Sequence, residues 1–200
     1  MLALEGFFRE LDRCWPEPPR EKILLRIIGS TALMLQADYE RVSKDSDVLE
    51  TDLLSEYNKK CLIELSGPGT AIHQRFRLYL DLVPSALPFL PQVPLYHPLV
   101  DLNQSLRCFE IEALDILDVV VSKLKRFSPN DVSDIRAMAD QGLVDPTGLV
   151  ERFRLAVDAY SMDARADDLP RYVRNLHRVE RDYLFVAETH IELPGWVTED

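Results

Sequence analysis

Two neighbouring stretches decide the predicted fold: Ile27-Ile28-Gly29-Ser30, and Arg41-Val42-Ser43-Lys44-Asp45-Ser46-Asp47-Val48 a little further on. The first closes an apolar run from Ile23 to Ile28 that is broken only by Arg26, which is typical of a short buried strand. Apolar residues at helical spacing follow, so Gly29 and Ser30 are predicted to lie where the strand leads into a helix. Because helix N-termini present backbone N–H groups and the positive end of the dipole, this turn is a candidate anion site.

Asp45 and Asp47 are separated by one residue in the second stretch. In an extended segment residues i and i+2 point to the same face, so both carboxylates should project side by side near the Gly-Ser turn. Two oxygen ligands in this arrangement suit a hard divalent cation, Mg²⁺ or Mn²⁺, that is shared with substrate phosphates. Gly-Ser turns and Asp-x-Asp pairs are each common by chance, but their order along the chain favours a site for a metal-bound nucleotide.

The order of strand, Gly-Ser, helix and Arg-x-Ser-x-Asp-x-Asp resembles the polymerase-β-like nucleotidyltransferase superfamily. Within it, the chain is similar to the bacterial branch of AbiEii/MenA-type toxins and related uncharacterised nucleotidyltransferases, over roughly residues 23–135. The resemblance implies that the nucleotide contacts Gly29, Ser30, Arg41 and Ser43, and that Asp45 and Asp47 are catalytic metal ligands. That branch usually has an apolar residue between the two acids. Here Ser46 stands there, and in an extended segment it points away from the site.

Asp81 is the candidate for a third acid, which two-metal phosphoryl transfer requires. It lies in a run rich in strand formers, between Leu80 and Leu82, and the resembled superfamily takes its third catalytic acid and metal ligand from such a strand. The alternative is a solvent-facing aspartate on an edge strand.

Lys123 and Asp131 match a further pattern of the same branch, in which a lysine near a helix end precedes an Asp-x-x-Asp segment. The resemblance implies that Lys123 faces the triphosphate and that Asp131 supports catalysis, and from its place at the edge of the apolar stripe of its helix Lys123 is expected to be an exposed charge. Ser128, Pro129 and Asp131 also form a helix-capping pattern that would explain the acid without catalysis, and both roles can hold. Asp134, one turn later, could pair with Lys123 or Arg126.

Composition limits the classes of binding partner and the cellular location that are expected for this protein. A net charge of −11 lacks the basic footprint of a protein that binds long double-stranded nucleic acid, and it favours a nucleotide, a protein or a locally held RNA. The three cysteines are widely separated, which favours reduced thiols over a disulfide framework. No apolar run has the length of a membrane span and the N-terminus has the pattern of an amphipathic helix, so a cytoplasmic protein is expected.

Strand patterns come first and helical patterns later, which predicts an α+β fold. By resemblance this is a nucleotidyltransferase-like small mixed sheet flanked by helices, with a core over residues 1–112 and a helical C-terminal part over residues 113–200. The predicted strands cover about residues 23–28, 45–50, 75–83 and 106–111, and the predicted helices about residues 2–14, 30–38, 53–65, 114–127, 128–139, from 145 onward, and 168–188.

The function predicted by the residues and the resemblance together is transfer of a nucleoside monophosphate from an NTP·Mg²⁺ complex to an acceptor hydroxyl. If the chain belongs with the toxins, the acceptor would be tRNA or a protein, and an antitoxin would be a further partner. A small hydroxyl compound is another acceptor class. The alternative is a catalytically degenerate nucleotide-binding or protein-interaction module of the same fold.

Overall fold

The computed structural model describes residues 3–41, 44–160, 164–195 and 197. The elements in chain order are α1 (Ala3–Cys14), β1 (Ile23–Ile27), α2 (Gly29–Gln36), β2 (Asp45–Leu49), α3 (Glu56–Ser66), α4 (Ala71–Phe76), β3 (Tyr79–Val83), β4 (Tyr96–Pro98), α5 (Val100–Ser105), β5 (Phe109–Leu114), α6 (Ile116–Leu124), α7 (Pro129–Asp140), α8 (Pro146–Tyr160), a 3₁₀ helix (Ala164–Asp168) and α9 (Leu169–Asp182). This content, with a mixed sheet and a helical C-terminal part, confirms the predicted α+β fold.

The chain divides into two compact units. The first, here called the sheet unit, contains the chain up to Leu87 together with Tyr96–Leu114, and the second, the helical unit, contains Pro88–Leu95 and the chain from Asp115 onward. Among the helices of the described residues, none is long and apolar enough to cross a membrane.

The sheet of the sheet unit has the strand order β3-β2-β1-β5-β4. Strand β1 pairs antiparallel with β2 and parallel with β5, while β3 pairs parallel with β2 at one edge. The alternating side chains of β1 explain its central place, because Leu25 and Ile27 are completely buried on one face. Val48 of β2 lies opposite Ile27 and is also completely buried, so this face of the sheet forms the core.

The helical unit encloses a proline-rich stretch of the chain, residues 88–95, together with α6 to α9. Phe89 from this stretch is completely buried, with ring centroids 5.0 Å from Tyr160 and Tyr172 and 5.5 Å from Phe153. The contacts with Phe153 and Tyr160 are edge-to-face, and such contacts add to the free energy gained by burial. The proline-rich stretch is therefore part of the core of the helical unit.

A buried ion pair holds the same stretch at its other end. The completely buried carboxylate of Asp118 accepts two hydrogen bonds of 2.6 Å from the Arg152 guanidinium and one of 2.8 Å from the Leu95 N–H. Arg152 also donates to the Val93 carbonyl at 3.0 Å. Both charges are thus paired and hydrogen-bonded, which buried charges require.

The predicted strand over residues 75–83 is wrong in its first part, because α4 extends to Phe76 and β3 begins only at Tyr79. The Thr70 hydroxyl caps α4 by accepting a hydrogen bond from the His73 N–H at 3.3 Å. Arg77 then ends the helix in the left-handed conformation, with φ of 56°. The alternation of polar and apolar residues before Tyr79 is typical of a strand, but these residues end a short capped helix.

Several other boundaries differ from the prediction. Helix α3 begins at Glu56 rather than at residue 53, because the Ser55 hydroxyl caps it by accepting from the Asn58 N–H at 3.2 Å. The final helix ends at Asp182 rather than residue 188, and Phe185 beyond it has a left-handed φ of 56°. The strand expected near residues 106–111 is shifted to β5, and β4 and α5 had no predicted counterpart.

Candidate functional site

The pairing of β2 with β3 brings three carboxylates to one face of the sheet. In the parallel register Asp45 lies opposite Tyr79, and Asp47 lies opposite Asp81. Residues that face each other on adjacent strands share a face, so Asp45, Asp47 and Asp81 project together. Asp45 and Asp47 are half-buried, and Asp81 is exposed on an edge strand, as the alternative interpretation of this residue also requires. The structure thus places Asp81 beside the acid pair, and its catalytic role stays a prediction.

Ser46 lies on the opposite face, as expected. It is completely buried, and its partner in the register is the equally buried Leu80. Its Oγ forms no hydrogen bond within the described part of the chain. The position is therefore an apolar core position that happens to carry a hydroxyl.

The pKa of Tyr79 shows that all three acids lie near its side chain. Burial raises the pKa of the Tyr79 hydroxyl, and the negative charges of Asp45, Asp81 and Asp47 raise this pKa further. A negative charge disfavours the phenolate only when it lies near the phenol. All three carboxylates are therefore electrostatic neighbours of one side chain.

The turn between β1 and α2 lies directly against Asp47. Gly29 has a φ of 65°, and a Cβ at this residue would lie 2.7 Å from Oδ2 of Asp47. The Ile28 N–H donates to the Asp47 carbonyl at 2.9 Å, and the Thr31 hydroxyl donates to the Asp45 carbonyl at 3.3 Å. The backbone conformation therefore favours glycine at residue 29, and a Cβ there would displace the Asp47 carboxylate.

The N-terminus of α2 is not capped by a side chain. Its N-cap residue is Ile28, which makes no side-chain cap hydrogen bond, whereas Ser55, Thr70 and Ser128 cap α3, α4 and α7. The first N–H groups of a helix have no partner within the helix. The turn that carries Gly29 and the half-exposed Ser30 thus presents N–H groups and a positive dipole end next to Asp47.

The residues predicted between the turn and β2 are only partly described. Arg41 is half-exposed in the irregular segment before β2. Ser43 lies outside the described residues, so its predicted contact with the nucleotide stays a prediction.

Asp45 and Asp47 suit a divalent cation whose remaining ligands are water and substrate phosphates. Within residues 3–41, 44–160, 164–195 and 197, no group of three or more histidine, cysteine, aspartate or glutamate side chains is arranged to hold a metal ion by itself. Mg²⁺ is usually held by one or two carboxylates together with waters and substrate phosphates. The same-face carboxylates of Asp45 and Asp47, beside the N-terminus of α2, match that mode of binding.

Lys123 belongs to a buried ionic network in the helical unit. Its side chain is 7% exposed, and its Nζ lies 2.7 Å from Oδ2 of Asp134 and 3.2 Å from Oδ1 of Asp131. The expectation of an exposed lysine is therefore wrong, because two buried carboxylates hold the ammonium group. The predicted pairing of Asp134 with Lys123 is confirmed, and the predicted role of Lys123 toward a triphosphate stays a prediction.

Asp131 is the centre of this network. The Arg126 guanidinium donates to both of its oxygens at 2.8 and 2.9 Å, and Ser128 donates to Oδ2 from its N–H at 3.0 Å and its hydroxyl at 2.7 Å. Ser128 and Asp131 form the capping box of α7, which confirms the structural interpretation of this acid. Burial acts to raise the pKa of Asp131, but hydrogen bonds from Arg126 and Ser128 and the charge of Lys123 outweigh it and hold this pKa well below its ordinary value.

Tyr79 is the site residue that the sequence analysis missed. Its place was visible in the sequence, because it precedes Asp81 by two residues in the same strand and so shares its face. Its position opposite Asp45 depends on the register between β2 and β3, which no local pattern specifies.

The sequence comparison agrees with this geometry. A family model described as "Nucleotidyltransferase of unknown function (DUF6036)" matches residues 3–181. No curated protein and no solved structure matches the chain significantly. The matched region contains the turn at Gly29, the three acids on β2 and β3, and the network around Asp131. The chain therefore belongs to the DUF6036 family of nucleotidyltransferases of unknown function.

Proposed function

We propose that the protein transfers a nucleoside monophosphate from an NTP to an acceptor hydroxyl, with Mg²⁺ or Mn²⁺ held by Asp45 and Asp47. One observation carries this proposal: Asp45, Asp47 and Asp81 share a sheet face directly beside the turn at Gly29. Phosphoryl chemistry depends mostly on positioning and on neutralising charge. An anion-binding turn beside paired carboxylates supplies a place for the phosphates and a place for the cation that accompanies them.

Each residue has a distinct task in this proposal. The N–H groups around Gly29 and Ser30 hold phosphate oxygens, and the absence of a Cβ at Gly29 leaves room for the Asp47 carboxylate. The divalent cation, when bound between the carboxylates and the triphosphate, neutralises negative charge on the phosphates. Arg41 and Ser43 contact the nucleotide, an assignment that rests on the resemblance alone.

Asp81 is proposed to share the metal with the acid pair or to act as a base on the acceptor. The acceptor oxygen forms a bond to the α-phosphorus while the bond to the bridging oxygen of pyrophosphate breaks, and the proton of the acceptor hydroxyl passes to the Asp81 carboxylate. The exposure of Asp81 on the edge strand supports this role, because an acceptor can reach the carboxylate from solvent.

Lys123 and Asp131 contribute differently. The contacts of Asp131 support a role in holding the start of α7, through which it would affect activity indirectly. A direct role of Lys123 toward the triphosphate rests only on the resemblance, since Asp131 and Asp134 already neutralise its charge.

The finer assignment to the AbiEii/MenA-type branch is also a proposal. It would make tRNA or a protein the acceptor and would add an antitoxin as a partner. Its support is the motif order from Gly29 to Asp47 and the pattern around Lys123 and Asp131.

The decisive experiment is calorimetric titration with each NTP in the presence of Mg²⁺, comparing the parent protein with Asp47→Asn. We expect the variant to lose NTP binding, while Asp101→Asn, which changes an exposed acid on α5, binds like the parent. Equal binding by parent and Asp47→Asn would overturn the site.

A transfer assay then separates an enzyme from a binding module. Each labelled NTP is incubated with Mg²⁺ and the protein, with and without total tRNA, and the labelled product is identified. Binding at Asp47 without any labelled product under these conditions favours the degenerate module.

A further inference from the structure

We propose that the Tyr79 hydroxyl donates a hydrogen bond to a phosphate oxygen of the bound NTP and so acts as a positioning residue. The inference rests on the proposed function, because it needs a triphosphate at the acid face. Neither the family description nor the motif resemblance includes this residue.

The register puts Tyr79 at the edge of the acid site. It lies directly opposite Asp45 and two residues before Asp81 on the same strand face. Side chains of strands stand roughly perpendicular to the sheet, and a tyrosine reaches much further from the sheet than an aspartate. A tyrosine at this position is therefore long enough for its hydroxyl to reach a ligand of a carboxylate-bound cation.

The phenol ring is held in place from the other side. The His73 ring makes an edge-to-face contact with it, with centroids 5.3 Å apart and an interplanar angle of 78°. His73 is itself fixed, because its Nδ1 accepts a hydrogen bond of 2.9 Å from the Gly69 N–H and its own N–H is bound by the Thr70 cap. The direction of the phenol is therefore set before any ligand binds, which reduces the entropy lost on binding.

The Tyr79 O–H donates no hydrogen bond to any residue that the structure describes, although Asp45 and Asp81 lie close. A phenol O–H can donate one hydrogen bond. Ionised carboxylates and phosphate oxygens only accept hydrogen bonds, so at this acid face Tyr79 adds a donor to those of the turn at Gly29.

The test compares Tyr79→Phe with the parent protein in titrations with NTP·Mg²⁺ and with inorganic tripolyphosphate·Mg²⁺. The phenylalanine keeps the ring and its contact with His73, and thermal melting checks that the fold is intact. Because a hydrogen bond to a charged group is lost, we expect affinity for both ligands to fall about ten-fold or more. The matched control is Tyr57→Phe, which removes a hydroxyl from a tyrosine that is 62% exposed on α3.

Each result decides the question. Loss of affinity for both ligands in Tyr79→Phe alone supports the proposal, and a variant that also raises KM for NTP more than it lowers kcat strengthens it. If Tyr79→Phe binds both ligands as tightly as the parent protein, the proposed role of Tyr79 is wrong. The proposed function would still stand if Asp47→Asn fails to bind NTP. Loss for NTP but not for tripolyphosphate would assign the hydroxyl to the nucleoside and overturn the phosphate contact. If the parent binds neither ligand, the proposed function fails and this inference fails with it.

Discussion

The sheet unit and the helical unit each contain three aspartates of interest, and the two sets of carboxylates lie in different surroundings. In the helical unit Asp118, Asp131 and Asp134 are buried, and arginine or lysine side chains hold each of them at 2.6 to 3.2 Å. In the sheet unit Asp45 and Asp47 are half-buried, and Asp81 is exposed. Aspartate thus serves as a buried structural anchor in one unit and is at least partly exposed to solvent in the other.

This difference teaches which acids to examine for function. Burying a carboxylate costs free energy unless the protein supplies charged or hydrogen-bonding partners for it. Such partners therefore stabilise the folded structure. Asp45 and Asp47 are instead only half-buried, at a sheet face beside the N-terminus of α2. Motif resemblance alone placed Asp131 and Asp81 in the same class, whereas their surroundings separate them.

The largest effect is expected for the buried acids of the helical unit, which the comparison describes as structural anchors. Asp131→Ala removes the central acceptor of a buried network and leaves Arg126 and the Ser128 N–H without it, so we expect the free energy of unfolding to fall by about 3 kcal/mol. Urea unfolding measures this change. Asp140→Ala is the control, because Asp140 is 68% exposed and 3.6 Å from Arg136; such exposed pairs contribute about 0–1 kcal/mol. A loss no greater than that of the control would contradict the anchor role.

The same acid predicts a pH dependence. Because the pKa of Asp131 is lowered in the folded state, its ionised form stabilises the fold, and this contribution is present above the unfolded pKa. The stability difference between the parent and Asp131→Asn should therefore be constant above about pH 5 and shrink as the pH falls through about 3.9 and below. Urea unfolding across this range measures it. A difference that stays constant down to about pH 3 would show that the charge of Asp131 contributes nothing.

An intermediate effect is expected from two glycines with the same backbone conformation. Gly29 and Gly142 have φ of 65° and 69°, but a Cβ at residue 29 would meet Asp47, whereas residue 142 has open space around it. Alanine in the left-handed region costs about 1–2 kcal/mol, so both alanine variants should lose stability. Only Gly29→Ala should also lose NTP affinity, measured by calorimetry, because its Cβ displaces the Asp47 carboxylate. Similar NTP affinity in the two variants would count against the turn as part of the site.

The smallest effect concerns the face of β2 that points away from the acids. Ser46→Ala removes a buried hydroxyl that has no partner among the described residues, so we expect unfolding to cost up to about 1 kcal/mol more. Affinity for NTP should not change, since Ser46 lies on the core side. A variant with lower stability would indicate that the hydroxyl has a partner in solution, and lower NTP affinity would indicate that the two faces of β2 are coupled.

Local patterns were sufficient where a structure depends on neighbouring residues. The apolar run before Gly29 and the Asp-x-Asp alternation predicted β1, the start of α2 and β2 within one or two residues. Ser128 and Asp131 predicted their own capping box, because both partners of the cap lie within one turn.

Long-range pairing could not be predicted in the same way. The edge strand β4 and the position of β5 depend on partners far away in the sequence, and the strand pattern before Tyr79 was overridden by the Thr70 cap. The burial of Lys123 was also missed, because the spacing of charges along a helix does not show whether the surrounding helices cover them. The sequence therefore predicted the three acids of the site, whereas the position of Tyr79 opposite Asp45 became known only from the register of β2 and β3.

The path of the chain through the two units limits how they can be separated. Residues 88–95 belong to the helical unit, although the residues on both sides of them belong to the sheet unit. A fragment that ends at Leu114 would retain Phe89 without the aromatic rings of α8 and α9 that bury it, and a fragment that starts at Asp115 would have a gap where Phe89 packs. No single cut in the chain yields either unit complete, so the helical unit is not a detachable appendage and any shortened version has to keep both segments.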